Sequence, residues 1–158
     1  MLHLRPMRAD ELPAFLELTG TFFAESLAES WGARVEEVDA KARADAVALL
    51  PHGVATDGHE LLVAEDEDGD VVAHAWLGRS ERDGRAAAFL FDLHVAEGQR
   101  GRGHGREVLE LVERRARELG YDRIGLNVFP QNRPALALYR SAGYREVALF
   151  LGKRLDRG

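Results

Sequence analysis

Residues 99–105 read QRGRGHG, with glycine at 101, 103 and 105 and arginine at 100 and 102. Upstream lies AAFLFDLHV (87–95), a strand by its apolar, aromatic content. Downstream, Val108, Leu109, Leu111, Val112, Ala116 and Leu119 recur on one face of a helix expected over 104–119, with Gly120 as its C-terminal cap. The next strand is RIGLNVF (123–129), so strand, loop, helix and strand form a crossover whose two strands are expected to be parallel. A helix N-terminus has unpaired N–H groups and a partial positive charge, and glycines let those groups approach an anion closely. Arg100, Arg102 and Arg106 add charge-assisted contacts, so the loop is suited to a phosphate or pyrophosphate. By itself the pattern also fits a plain strand-to-helix turn.

Two familiar phosphate loops do not match. Gly98 and Gly103 have P-loop spacing, but His104 and Gly105 follow where lysine and serine or threonine are required. A dinucleotide GxGxxG lacks its third glycine in either frame, because Arg106 or Val108 stands there.

The rest of the chain narrows the class. Its 158 residues are expected to form one domain, spanning 1–158, with a true core. There is no cysteine, which excludes disulfides and thiolate chemistry. The start, MLHLRPMRADELPAF, lacks the apolar run of a signal peptide, so the expected location is cytoplasmic. The net charge of −6 conceals an asymmetry: residues 1–84 hold 18 acids and 7 bases, residues 85–158 hold 9 acids and 14 bases. A nucleic-acid binder would show a broader basic surface, and neither nucleic acid nor membrane is expected as a partner. A compact anionic ligand held by the second half fits better, although solvated faces such as ERRARE account for part of the charge.

The remaining elements follow from periodicity and turn residues. A strand is expected at 2–5, then a helix capped by Asp10 and running to about Ala28, and a second helix over 35–49. PHGVATDGH is a loop, and ELLVAED, EDGD and VVAHAWLG form a hairpin. Asn132 caps a short helix with Pro134 in its first turn and Gly143 beyond its end. REVALFLGKRL is expected as a last strand. The class is mixed α/β.

The loop Arg100–Gly105 resembles the R/Q-x-x-G-x-G/A signature of the GNAT acyltransferase superfamily. LFDLHVAEGQ before it is similar to the family's fourth strand, and LNVFPQNRPALALYRSAGYRE resembles the family's second block. The resemblance implies the GNAT fold: a mixed central sheet of about six to seven strands with helices on both faces. It implies an N-acetyltransferase that moves the acetyl group of acetyl-CoA to a primary amine of a small molecule or peptide by direct attack, without a metal. The main chain at Leu93 and Val95 would pair with the pantetheine arm. Gly101, Gly103, His104 and Gly105, flanked by Arg100 and Arg102, would hold the pyrophosphate, with Asn132 and Ala135 on the far side of the groove. Tyr139 matches the tyrosine that protonates the departing thiolate; read without the family, it is an aromatic on an apolar helix face. A homodimer is compatible with this reading.

The general base is left open by the resemblance. Some members carry a glutamate where this chain has Asn127, and others an acid where it has Phe89 and Phe91. Alternation along FLFDLHV puts Phe89, Phe91, Leu93 and Val95 on one face and Leu90, Asp92 and His94 on the other, unless a bulge intervenes. Polar residues on an otherwise apolar strand need a reason. Either they satisfy local hydrogen bonds or meet an arginine, or they act near the thioester, with His94 as base or relay and Asp92 orienting it or meeting the acceptor's charge; the base is then Asp92 or His94, with Asn127 holding a water and Glu25 as the outside candidate. His3, His52, His59 and His74 lack metal-ligand spacing. The acceptor pocket is expected near Phe22, Glu25 and Trp31, and the acidic surplus there points to a cationic amine. The rival class is a non-catalytic acyl-CoA-binding or sensing module on the same fold.

Overall fold

Alternation in HELLVAE sends Leu61 and Val63 to one face of a strand and Leu62 and Ala64 to the other, and all four are buried. A strand buried on both faces needs two helical layers, and the chain supplies them. The computed structural model describes residues 1–82 and 84–155; Asp83 and the last three residues of the 1–158 span lie outside the described residues. In order, the elements are β1 (His3–Pro6), α1 (Leu12–Trp31), α2 (Val35–Ala48), β2 (His59–Glu65), β3 (Val71–Arg82), β4 (Arg85–Val95), α3 (His104–Glu118), β5 (Ile124–Leu126) and α4 (Arg133–Ser141). The sheet runs β1-β2-β3-β4-β5, antiparallel except for the parallel β4–β5 pair that the crossover requires.

One face buries Leu62, Ala64, Val72, Ala73, Ala75, Leu77, Ala88 and Leu90 under Val108, Leu109, Val112 and Ala116 of α3, with Leu138 and Tyr139 of α4 packed against them. The other face buries Leu61, Val63 and Trp76 against Met7, Phe15 and Leu50, with Leu12 and Leu16 of α1 alongside.

Three expectations are corrected. The described sheet has five strands rather than six to seven, because REVALFLGKRL joins no ladder. A strand needs a partner for its backbone groups, and the described residues provide none for that segment. Asp10 does not cap α1: it lies in a 3-10 turn, Ala9–Glu11, that leads into the helix. Glu11 closes that entry instead, accepting from the Arg8 amide at 2.7 Å while the Arg5 guanidinium grips it at 2.7 and 2.9 Å.

The third correction bears on the site. Trp76 pairs with Asp92 and Leu77 with Leu90, so Phe91 is an extra residue in β4, a β-bulge. The bulge resets the alternation. Phe91 joins the cluster around Trp76 under α1, and Asp92 beside it faces the same layer, while Leu93 and Val95 lie with Leu90 on the α3 side.

Candidate active site

β4 and β5 pair only from Ala88 to Leu90 against Ile124 to Leu126. Beyond that point the two strands have no mutual ladder, so the main chain from Phe91 to Val95 borders a split in the sheet. The local sequence could not show this opening, because it depends on two strands at once.

The glycine loop sits at one end of the split. Gly101 and Gly103 have φ of +75° and +82°, and a Cβ at either would meet nothing within 4 Å. No side chain caps α3, whose N-cap is Gly103 itself, so no side chain of its own satisfies the first N–H groups. That open space, beside an uncapped helix end, fits a pyrophosphate. Gly105 faces the core instead: a Cβ there would be in ordinary contact with Leu138 at 3.4 Å and Val95 at 3.8 Å. His104 is the first residue of α3, partly buried, and Arg102 is exposed. Arg100 folds back, its Nε donating to the Val95 carbonyl at 3.0 Å and its Nη2 lying 3.5 Å from His94 Nε2. Arg106 is turned away from the loop and held by Ser141 Oγ at 2.9 Å.

Asn132 caps α4 as expected, its Oδ1 accepting from the Ala135 amide at 3.3 Å. This cap orients α4 so that Tyr139 comes in from the α3 side, 5.6 Å from the Tyr144 ring. Burial, with a smaller contribution from the charge of Asp92, pushes the Tyr139 phenol up to about 12. Asp92 comes from the opposite face. Its Oδ2 accepts from Thr19 Oγ1 of α1 at 3.1 Å, and the Leu93 N–H also supports it. Burial pushes its carboxyl up to about 6 against those hydrogen bonds. His94 is driven the other way, first by burial and then by the charges of Arg100 and His74.

The structure thus sets Asp92 within electrostatic reach of Tyr139, and His94 beside Arg100. Asn127 lies exposed just past β5. Phe22 and Glu25 are exposed on α1, and Trp31 ends that helix against Gly152. Among the described residues, no hydrogen bond or ring contact joins Phe22, Glu25 or Trp31 to Asp92 or Tyr139. Sequence reasoning missed Thr19, an ordinary helix threonine whose partner is 73 residues away. It also missed the clamp across the split, where Gln131 Nε2 donates to Ser26 O and Ser30 Oγ at 3.1 Å and Phe129 meets Phe23 at 5.9 Å. No group of metal-ligating side chains occurs among the described residues, and no helix there is long and apolar enough to cross a membrane.

Comparison with known proteins identifies the fold and the family. YycN of Bacillus subtilis, an uncharacterized N-acetyltransferase, is 27% identical over 152 residues, covering 96% of this chain and 97% of that protein. Its crystal structure superposes with a TM-score of 0.88 at 26% identity, covering 99% of this chain and 100% of that one. A mycothiol acetyltransferase of Propionibacterium freudenreichii subsp. shermanii is 35% identical over 92 residues, 58% of this chain and 30% of that protein. A predicted acetyltransferase of Clostridium acetobutylicum, crystallised with acetyl-CoA, shares the fold with a TM-score of 0.67 at 14% identity, covering 98% and 96%. The model of the acetyltransferase (GNAT) family matches residues 20–144, so this chain belongs to that family of acyltransferases.

Proposed function

We propose that the chain acetylates a primary amine of a small molecule or peptide from acetyl-CoA by direct attack, with Asp92 as base and Tyr139 as acid. The observation that carries this reading is the approach of Asp92 and Tyr139 to one split from opposite faces of the sheet, near enough for the charge of one to act on the other. Bound acetyl-CoA supplies the thioester carbonyl that the amine attacks and the thiolate that leaves. The amides of residues 101–105 with Arg100 and Arg102 would hold its pyrophosphate, the main chain at Leu93 and Val95 its pantetheine arm, and Asn132 and Ala135 the far wall.

An alkylammonium must lose a proton before its nitrogen can attack. A carboxyl raised to about 6 is ionised at neutral pH yet more basic than an ordinary aspartate, which suits it to take that proton. His94 is the weaker candidate, because burial, and then Arg100 beside it, oppose an imidazolium; it positions Arg100 instead. Asn127 has no proton to exchange and serves at most to hold a water on the way out. Tyr139 keeps its proton until a thiolate forms. The charge on Asp92 is one cause of that high proton affinity, so protonation of Asp92 by the amine makes Tyr139 a readier donor. Attack leaves the nitrogen with one more proton to lose; it replaces the one that Tyr139 gives to the thiolate, and Asp92 passes its own to water, so both groups are restored. Phe22 and Glu25 would offer the acceptor an apolar and an anionic contact, with Trp31 at the far end of the helix.

The test is CoA release against a panel of amines, peptides and aminoglycosides, with single turnovers isolating chemistry. Tyr139→Phe should lower the chemical rate by about 10²–10⁴-fold. Its thermal stabilisation by acetyl-CoA should stay at the wild-type value, about 2.7 kcal/mol at a hundredfold excess over Kd. An unchanged rate would make Tyr139 a packing residue. Absence of stabilisation by acetyl-CoA would remove the whole reading.

A further inference from the structure

The proposed base and acid stand on different elements. Asp92 belongs to β4, and Tyr139 to α4, which follows β5. The ladder between the two strands ends at Leu90 and Leu126, so beyond that point the sheet does not fix one against the other. α4 is nine residues long, and no described residue in it is fully buried, so packing restrains it less than it restrains α3. A hydrogen-bonded route between the two sides runs through α1.

Thr19, Phe23, Ser26 and Ser30 stand at i, i+4, i+7 and i+11 of α1, one stripe of that helix. The stripe spans the split. On the β4 side, Thr19 Oγ1 donates to Asp92 Oδ2 at 3.1 Å. The other three residues meet the segment between β5 and α4. The Phe23 and Phe129 rings lie 5.9 Å apart. Gln131 Nε2 donates to Ser26 O and to Ser30 Oγ, each at 3.1 Å, and Ser30 Oγ donates to Ser26 O at 2.8 Å. These three bonds close a ring. A backbone carbonyl only accepts, so the amide nitrogen of Gln131 must be the atom that faces it. The next residue is Asn132, whose side chain caps α4. The contact therefore grips the first turn of the helix that carries Tyr139.

We propose that Gln131 is a positioning residue for acetyl transfer: its amide ties the start of α4 to α1 and so sets the acid against the base across the split. The proposal rests on the assignment of Asp92 as base and Tyr139 as acid. α1 is then the common reference for both groups, holding one through a hydroxyl and the other through an amide. Proton transfer needs groups within hydrogen-bond reach, and a misplacement of ~1 Å can cost about 10²-fold.

The first measurement needs no acceptor: carbon NMR of the side-chain carboxyls follows Asp92 in the full chain. In Gln131→Ala the split loosens and admits water, so the Asp92 pKa should fall from about 6 by at least about half a unit. Gln131→Glu has the shape but no donor and should behave alike. Gln131→Lys supplies a donor near the C-terminus of α1, where a cation is favoured, and should keep the wild-type value. One hydrogen bond corresponds to a melting shift of about 2–4 °C at this chain length, so all three variants should stay folded. The second measurement is CoA release in single turnovers, with n-butylamine as the primary-amine probe. Gln131→Ala should lose about 10–100-fold in rate. Its acetyl-CoA Kd should stay within about threefold of wild type. In a Tyr139→Phe background the same substitution should cost less than about threefold, because no acid remains to be placed. An Asp92 pKa unmoved by Gln131→Ala would overturn the proposal. So would a Gln131→Lys no better than Gln131→Glu, a loss carried by weaker acetyl-CoA binding, or a full loss in the Tyr139→Phe background. Tyr139→Phe without effect on its own would remove the acid itself, a failure of the assignment that the four-variant cycle tells apart from the others.

Discussion

The two helical layers of this sheet are built on different terms. α3 buries Val108, Leu109, Val112 and Ala116 in one stripe against the strands. α2 buries only Ala42, and α1 buries Phe15 with the small residues Gly20, Ala24 and Ala28. Polar contacts join α1 to α2: Arg43 reaches Glu17 at 3.0 Å and Thr21 at 2.8 Å, while Asp39 on its own helix holds it at 3.0 Å. Apolar packing thus fixes the layer that bears the glycine loop, and a loop on a rigid helix keeps its amides in place. The layer facing the proposed acceptor rests on fewer buried groups, so its surface can vary without rebuilding the core. Asp92 stands at the seam: β4 carries it, and α1 holds it through one hydroxyl.

The largest expected effect lies at that seam. Asp92→Asn keeps the shape and the bond to Thr19 but cannot accept a proton, so turnover should fall by about 10²–10⁴-fold. Its stability should move the opposite way. The folded carboxyl titrates near 6 and the unfolded one near 3.8, so the folded state binds more protons between those values. Wild-type stability contributed by this group therefore falls as pH rises from about 4 to 6, by up to about 3 kcal/mol. The Asn variant should melt higher than wild type at pH 8, and that advantage should vanish near pH 4. Thermal melts across that range check it; equal melting at pH 8 would mean that the burial of Asp92 costs the fold nothing.

A core substitution tests the layers themselves. Leu109→Ala removes a fully buried side chain and should cost about 2–5 kcal/mol, weakening acetyl-CoA binding through the loop that α3 carries. Val47→Ala on α2 removes one that is 57% exposed and should stay within about 0.5 kcal/mol. Denaturant melts of the pair measure the contrast. Equal losses would show that α2 is as firmly set as α3.

The same contrast governs what could be read from the amino-acid sequence. The α3 layer announces itself because its stripe, its glycines and its terminal Gly120, at φ +89°, are local. The Asn132 cap and the parallel crossover are local in the same sense, and all were legible. The bulge at Phe91 is not: it is a register between two strands, and alternation along one of them assigns Phe91 and Asp92 to opposite faces. The expected last strand fails for a related reason, since strand composition does not supply a ladder partner. Asp10 was displaced as a cap because Glu11 is gripped by Arg5, a contact between β1 and the turn that no capping pattern contains.

The smallest effect isolates the one hydroxyl through which the α1 layer touches the proposed chemistry. Thr19 Oγ1 donates to the Asp92 carboxylate and holds its pKa down against burial. Thr19→Val preserves the branched shape and removes the donor, so the ionised form of Asp92 loses support while the protonated form does not. The Asp92 pKa should then rise by about one unit, equivalent to about 1.4 kcal/mol. A base acts when deprotonated, so the acidic limb of kcat/KM should shift upward by that amount. At pH 8 the variant should nearly match wild type, and at pH 6 it should fall several-fold behind. A uniform loss at every pH would place Thr19 in packing rather than in tuning the base. An unmoved limb with full activity would show that the proton leaves by a group other than Asp92, and the two layers would then meet only through the fold.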